Sequence, residues 1–156
     1  MTQKTFDIPI RLDDFWPYQV TVLADMITRH TTELVKTHSD LNLSKWRVLA
    51  AIADRPARSA AEVVAMTPMD KGIVSRATAS LVQDGLVKKR ADPKDRRRSR
   101  LYLTVKGKHQ YEKVSRAMLA ALDPVLPGEA FNRDVRRAQA HFPGRIRHTK
   151  AEVGTS

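Results

Sequence analysis

Residues 90–107 read RADPKDRRRSRLYLTVKG, and this stretch decides the fold of the chain. Four arginines stand close together, directly before a short alternating apolar run: Arg96, Arg97, Arg98 and Arg100. Residues 86–90 and 100–103 are β-branched or alternate between apolar and polar, which predicts two short strands. Pro93 and the arginine run fall between these strands. The stretch therefore predicts a β-hairpin whose turn carries a concentrated positive charge.

Two predicted helices precede the hairpin. Residues 59–62, Ser-Ala-Ala-Glu, form a capping box that opens a short helix. Residues 67–70, Thr-Pro-Met-Asp, offer Thr67 as the cap of the next helix, which closes at Gly85. That helix leaves a face of small and basic residues outward: Lys71, Gly72, Ser75, Arg76 and Ala79. Two helices joined by a short turn and followed by a hairpin predict a winged helix-turn-helix with the arginines at the wing tip.

Longer helical patterns flank this lobe. Apolar residues at helical spacing predict a long helix over residues 13–39 and a further helix over residues 105–122, capped by Thr104. Beyond it the apolar periodicity fades, and Pro143-Gly144 breaks any helix. We expect a short helix to about His141, followed by a disordered tail.

The positive charge is concentrated in one part of the chain. The net charge is +11, and residues 71–116 contain 14 basic but only 4 acidic side chains. Such a concentration indicates a surface that binds a polyanion. A membrane surface would also attract cations, but helices that lie on membranes pair them with a large apolar face. Because the arginine run lies in a turn, nucleic acid is the expected partner and no membrane partner is expected.

Several classes of protein and site are excluded or disfavoured by what the sequence lacks. There is no cysteine, so disulfides, thiolate metal sites and thiol redox switches are excluded. No apolar run approaches the ~20 residues that cross a bilayer, and residues 1–14 lack the apolar stretch of a secretory signal. We therefore expect a soluble, cytoplasmic protein. His30 and His38 lack further ligands at chelating spacing, and no catalytic motif is found, so no metal, cofactor or enzymatic activity is predicted.

The hairpin and the helix before it also carry a family signature. The residues Leu81, Gly85-Leu86-Val87, Arg90, Pro93, Asp95-Arg96-Arg97 and Leu103-Thr104 through Gly107 follow the pattern LxxxGLVxRxxxPxDRRxxxLxLTxxG closely. Residues 46–49, 61–63 and 70–76 are similar to the second, third and fourth helices of the same family. The chain therefore resembles the MarR-type (multiple antibiotic resistance) transcriptional regulators over roughly residues 15–122.

This resemblance implies a homodimer in which the N- and C-terminal helices pair. Two winged lobes would then bind a pseudo-palindromic operator in double-stranded DNA. It also implies a cleft between the dimerisation helices and the DNA-binding lobe, where small phenolic or anionic effectors act in many members. The chain departs from the family at its C-terminal end, because family members have a leucine-rich last helix and this chain has no leucine after Leu126.

The DNA-binding residues are predicted on two surfaces. Lys71, Ser75 and Arg76 are expected to touch base edges or phosphates from the outward helix face. A wing-tip arginine suits a narrow minor groove, and we expect contact from this run: Arg96, Arg97 and Arg98. Asp95 would repel phosphate, so its expected role is to order the wing by a bidentate pair with a neighbouring arginine. The alternative for both surfaces is an ordinary solvated face.

A ligand pocket is predicted around aromatic residues and one histidine: Trp16, Tyr18, His30 and Trp46. The alternative is that these side chains pack in the core or the dimer interface. Ser59 and Thr67 are expected to cap helices whose free backbone amides meet phosphate.

The predicted fold class is mainly α with a small β-hairpin wing. We expect an N-terminal segment and long dimerisation helix over residues 1–40 and a winged helix-turn-helix lobe over 41–104. C-terminal dimerisation helices over 105–141 and a tail over 142–156 complete the chain. The predicted function is a sequence-specific, homodimeric repressor relieved by a small aromatic or anionic ligand. A non-specific architectural nucleic-acid-binding protein is the alternative.

Overall fold

The computed structural model describes residues 10–125 and 128–142 of the chain. Within these residues it contains six helices and one two-stranded antiparallel sheet. The elements are α1 (Trp16–His38), α2 (Leu43–Asp54), α3 (Ala60–Met66), α4 (Lys71–Gln83), β1 (Val87–Ala91), β2 (Ser99–Leu103), α5 (Val105–Leu122) and α6 (Glu129–Gln139). The predicted fold class, mainly α with a hairpin wing, is confirmed.

The start of α4 differs from the prediction. Thr67 does not cap it; this buried residue ends α3, and its hydroxyl donates a hydrogen bond to the Val63 carbonyl at 2.8 Å. Asp70 is the cap instead, because its Oδ1 accepts from the Ile73 amide at 2.7 Å. The burial of Met69 explains the later start. Its side chain is only 5% exposed, so the backbone at residue 69 must point this side chain into the core before the helix begins at its cap, Asp70.

The other boundary signals are confirmed. The capping box of α3 forms, with Ser59 and Glu62 each accepting a hydrogen bond from the backbone amide of the other. At the end of α4, Gly85 has φ +70°, which an L side chain rarely adopts. The Leu86 amide then donates to the Leu81 carbonyl at 2.9 Å, which closes the helix as a Schellman motif.

The hairpin is tied to the turn between α2 and α3. Strands β1 and β2 pair in the register Val87 with Leu103. Strand β1 is shifted by one residue from the prediction, and β2 begins one residue earlier than predicted but ends at the same residue. Arg58 forms an isolated bridge with Leu101, and the Ala57 amide donates to the Leu101 carbonyl at 3.1 Å. The base of the wing is therefore fixed to the lobe, while its turn extends away from it.

The core lies between α2, α4, α5 and the hairpin. Leu49, Ile52, Leu81 and Leu101 are among its most deeply buried side chains. The first turn of α5 packs so closely on the end of α4 that a Cβ added at Gly107 would overlap the Leu86 carbonyl oxygen. This contact fixes the orientation of α5 as it leaves the DNA-binding lobe.

The N-terminal half of α1 and the C-terminal part of the described chain leave apolar side chains exposed. Trp16 is 56% exposed and Met26 is 62% exposed, and Leu119 near the end of α5 is exposed to a similar extent. Every residue of α6 is exposed. The two ends of the described chain meet at Trp16 and Phe142, whose ring centroids lie 6.3 Å apart. The short predicted C-terminal helix is present as α6, and residues 143–156 of the predicted tail lie outside the described residues.

Candidate nucleic-acid interface

Helix α4 presents the predicted small and basic face to the exterior. Val74, Ala77 and Leu81 are buried on its inner side, so the opposite face is exposed by geometry. That face contains the predicted contact residues Lys71, Ser75 and Arg76, with Gly72 and Ala79 beside them. It is a surface of short side chains and cations on which a neighbouring molecule can approach the helix closely.

The wing tip is shaped by two aspartates. The Oδ1 atom of Asp92 accepts from the Lys94 amide at 2.9 Å, and Oδ1 of Asp95 accepts from the Arg97 amide at 3.0 Å. The bidentate pair expected for Asp95 is not formed, since its carboxylate only approaches Arg98 Nε at 3.4 Å. Asp95 contacts the backbone of the arginine run instead, and the side chains of Arg96, Arg97 and Arg98 are exposed.

An arginine–carboxylate contact does form at the wing base, where sequence reasoning did not place one. The Nε atom of Arg100 donates to Oδ2 of the buried Asp92 at 2.7 Å, and its Nη2 atom lies 2.6 Å from the same oxygen. Its Nη1 reaches Glu62 at 3.1 Å and the Ala57 carbonyl at 3.2 Å. One guanidinium thus joins the wing, the first turn of α3 and the preceding loop. We call Arg100, Asp92 and Glu62 the wing-base network.

Hydrogen bonds and then nearby cations lower the pKa of both carboxyl groups of the wing-base network. The Lys94 amide and then the Arg100 guanidinium keep the pKa of Asp92 below its ordinary value, against the opposing effect of burial. Partial burial alone would raise the pKa of Glu62. The hydrogen bonds from Ser59 and the charges of Arg55 and Arg100 outweigh it, so the pKa of Glu62 is also lowered.

Most basic side chains of the lobe fall into two groups, while Lys45 and Arg98 pair with Asp84 and Asp95 on the surface. Arg55, Arg58 and Arg100 form ion pairs with carboxylates of 2.6–3.1 Å and therefore serve the fold. A second group has no ion pair with any described residue: Lys71, Arg76, Lys88, Lys89, Arg90, Lys94, Arg96 and Arg97. Cations left without carboxylate partners on one lobe form a surface that suits phosphate.

A groove of about 720 Å³ connects the two predicted surfaces. It runs between α3, α4 and the hairpin, and its cations are Lys71, Lys89 and Arg98. No acidic side chain lines it. Ser75 also faces the groove, as does the buried Thr78, whose Oγ1 has no hydrogen-bond partner among the described residues. The helix face and the wing therefore form one continuous positive surface.

The residues predicted for a ligand pocket are not brought together in the chain. Trp16, Tyr18 and His30 are exposed on α1, whereas Trp46 in α2 is half-buried and packs against the core. These four side chains line none of the three best-formed cavities of the described residues.

A cavity of about 410 Å³ lies elsewhere, between the end of α2, the hairpin and α5. Its lining includes Lys88, Arg90, Tyr102, Lys108, Tyr111 and Glu112. Sequence reasoning missed it, although strand alternation alone places three of these residues on one face of the hairpin.

Two kinds of feature are absent from the described part of the chain. No helix there combines the length and the apolar character that a membrane span requires. Residues 10–125 and 128–142 also contain no cluster of three or more histidine, aspartate or glutamate side chains arranged to hold a metal ion.

Comparison with known proteins identifies the family. A model of the MarR family matches residues 39–98. The chain is 30% identical over 103 residues to the HTH-type transcriptional regulator BilQ of Clostridium symbiosum (strain WAL-14163), covering 65% of this chain and 70% of that protein. It is 28% identical over 103 residues to the transcriptional regulator HosA of Escherichia coli O111:H-, covering 66% of this chain and 73% of that protein.

Solved structures share the fold. CouR from Rhodococcus jostii RHA1, bound to p-coumaroyl-CoA, matches with a TM-score of 0.75 at 18% identity, over 85% of this chain and 94% of that one. CouR bound to a 23-mer DNA duplex matches with a TM-score of 0.65 at 19% identity, over 85% and 96%. A MarR-family regulator from Silicibacter pomeroyi matches with a TM-score of 0.73 at 24% identity, over 90% and 96%. With the winged lobe, its basic surface and the curated relatives in agreement, the chain belongs to the MarR family of DNA-binding transcriptional regulators.

Proposed function

We propose that this protein is a sequence-specific, homodimeric transcriptional repressor that a small ligand releases from its operator. One observation carries the proposal: the exposed face of α4 and the wing tip form a continuous positive surface, and most of its cations lack a described carboxylate partner. A structural neighbour, the transcriptional repressor CouR, has been solved bound to a 23-mer DNA duplex, which supports DNA as the polyanion.

The two parts of the surface would have different tasks. Helix α4 fits the major groove, where Ser75 and Arg76 can reach base edges and Lys71 can reach phosphate. The arginines Arg96 and Arg97 on the wing fit the adjacent minor groove, whose negative potential favours inserted guanidinium groups. Phosphate contacts would supply most of the affinity and the contacts of α4 most of the sequence preference.

The exposed apolar side chains support a dimer. The indole of Trp16 and the side chain of Met26 are more than half exposed on α1, and Leu119 and Phe142 are equally exposed at the C-terminal end. Exposed apolar surface of this kind is typical of an interface. A second copy of the chain would cover it by packing the same helices against each other. The two winged lobes would then meet half-sites about one helical turn apart, roughly 10 base pairs.

Repression and ligand release extend this proposal. A homodimer bound to an operator near a promoter would block transcription because it occupies the DNA there. A ligand that binds one arrangement of the lobes better than the other would shift the equilibrium away from the DNA-bound form. CouR has been crystallised with p-coumaroyl-CoA, an aromatic and anionic molecule, which supports a ligand of that character here.

The test is the ratio of specific to random DNA affinity. A duplex is first selected from a random-sequence library with the purified full chain. Its affinity is then compared with that of a random duplex at about 0.15 M salt, where specific regulators prefer their site by roughly 10³-fold or more. We expect a preference in that range. Equal affinity for both duplexes would favour the alternative, a non-specific architectural protein, because such a protein has no use for the α4 face.

A further inference from the structure

Arg100 differs from the exposed arginines of the wing tip because its guanidinium contacts three other segments of the chain. Its Nε and Nη2 atoms lie 2.7 and 2.6 Å from Oδ2 of Asp92, the residue that follows β1. Its Nη1 atom lies 3.1 Å from Oε2 of Glu62 in the first turn of α3, and 3.2 Å from the Ala57 carbonyl oxygen in the preceding loop. Every nitrogen of this guanidinium is therefore within hydrogen-bond distance of an acceptor in the fold.

Arg100 lies on the face of the hairpin that points away from the groove beside α4. Successive residues of a strand point to opposite faces. Ser99 and Leu101 line that groove, whereas Arg100 between them does not. Directly across the sheet Arg100 pairs with Arg90, and two cations in such a position repel each other unless carboxylates neutralise one of them. Arg100 thus serves the position of the wing rather than a contact with phosphate.

Asp92 extends this contact to the wing tip. Its Oδ1 atom accepts from the Lys94 amide at 2.9 Å, and its own amide donates to the Arg98 carbonyl at 2.9 Å. Its side chain is only 6% exposed, so the carboxylate is enclosed by these partners. The turn that displays the exposed arginines therefore begins at the residue that Arg100 holds.

Glu62 extends the same contact to the helix-turn-helix. Its Oε2 atom accepts from the amide of Ser59 at 2.7 Å and from the Ser59 hydroxyl at 2.9 Å. Its Oε1 atom lies 2.6 Å from Nη2 of Arg55, at the end of α2. This capping box fixes the first turn of α3, and α3 packs against α4. Arg100 therefore links the wing tip to the unit that carries the outward face of α4.

We propose that Arg100 is a positioning residue for DNA binding, which sets the angle between the wing and α4. The wing arginines then reach the minor groove while α4 lies in the major groove, and Arg100 itself does not touch the duplex. Because it needs both of these contacts, this role rests on the proposed function. A wing without the link would have to lose its freedom of movement on binding, and ordering a mobile segment weakens association.

The substitution Asp92→Asn separates positioning from charge. An asparagine Oδ1 can still accept from the Lys94 amide, which retains the turn, but the amide nitrogen in place of Oδ2 cannot accept from Arg100. If charge alone mattered, removing a negative charge from the wing would strengthen binding to DNA. If Arg100 positions the wing, the same substitution weakens it. The two explanations therefore predict changes of opposite sign.

The experiment compares the full-length wild-type chain with Asp92→Asn and Arg100→Gln on the selected operator duplex at about 0.15 M salt. Dimethyl sulfate reports protection of guanine N7 in the major groove, and hydroxyl radicals report protection of the sugars along the minor groove. Arg55→Gln is the matched control. It removes the same charge as Arg100→Gln and one ion pair from Glu62, but it leaves the contacts of the wing in place.

We expect Asp92→Asn and Arg100→Gln each to lose roughly tenfold in operator affinity, as when charged hydrogen bonds at the wings are lost. At saturating protein both variants should still protect guanine N7 beneath α4, which also shows that they are folded. Both should lose the hydroxyl-radical protection beneath the wings, and Arg55→Gln should keep both kinds of protection.

Two results would overturn the proposal. One is binding by Asp92→Asn that equals or exceeds that of the wild-type protein. The other is a parallel loss of both protections, because the network would then serve stability alone. If the wild-type chain protects no discrete site, the proposed function itself fails, whereas unchanged variants beside a protected wild-type site refute only the role of Arg100.

Discussion

Replacing Arg97 by alanine tests the wing as a DNA contact. The Arg97 amide is held by Asp95 Oδ1 at 3.0 Å, and its exposed side chain has no described carboxylate partner. Each phosphate contact on double-stranded DNA contributes about 0.9 to the slope of log affinity against log salt concentration. A dimer presents two wings, so Arg97→Ala should reduce the magnitude of the slope by about 2. Affinity at about 0.15 M salt should fall by roughly tenfold or more, because charged hydrogen bonds are lost at both wings.

The assay is fluorescence anisotropy of a labelled operator duplex, titrated at several salt concentrations between about 0.05 and 0.3 M, where contacts of this kind change affinity strongly. Arg116→Ala is the matched control, because Arg116 is exposed on α5 and already lies 3.7 Å from Glu112. The control should keep the wild-type slope. If Arg97→Ala also keeps it, with unchanged affinity, the wing arginine does not contact DNA and the assignment of the wing surface is refuted.

Three further predictions concern the scaffold that positions this surface. Gly107→Ala should lower the free energy of unfolding by about 3 kcal/mol, because the new Cβ overlaps the Leu86 carbonyl. Gly72→Ala should change it by less than about 1 kcal/mol. The Cβ added there would lie 3.2 Å from Oδ1 of the capping Asp70, and this tight contact offsets the gain in helix propensity. Urea denaturation at one protein concentration measures both, and equal effects would contradict the geometry. Ala57→Gly should leave stability unchanged or raised in the same assay, because φ is +67° there; a marked loss would show that this backbone is not strained. Arg100→Gln should lower the free energy of unfolding most at neutral pH, and its difference from wild type should become smaller as the pH falls below about 4. The pKa values of the wing-base carboxyls are lowered in the folded protein, so their ion pairs stabilise it only while they are ionised. A difference in unfolding free energy that stays constant with pH would contradict the role of the network.

The winged lobe could be predicted because its signals are local. Helix caps, the glycine after α4 and the period of two in the hairpin each depend on a few neighbouring residues, and the capping box at Ser59 and the turn at Gly85 are confirmed. The exposed face of α4 followed from the spacing of Val74, Ala77 and Leu81 alone. The assignment of DNA contacts to that face and to the wing stays a prediction.

The incorrect predictions concern features that tertiary contacts determine. Thr67 has the right side chain for a helix cap, but the burial of Met69 moves the helix start to Asp70. Arg100 was counted with the wing arginines, yet it is paired with Asp92 and Glu62, which is 38 residues away in the chain. No local sequence pattern predicts such a pair. The cavity of about 410 Å³ between α2, the hairpin and α5 also depends on tertiary packing. In the sequence, only the strand alternation that places Lys88 and Arg90 on one face indicates it.

The central claim is that two α4 helices, one from each copy of the chain, read one operator. Hydroxyl-radical footprinting of the purified full chain on its selected duplex tests this most directly. The account predicts two symmetric protected half-sites whose centres lie about one helical turn, roughly 10 base pairs, apart. A single protected half-site, or uniform protection along the whole duplex, would contradict it.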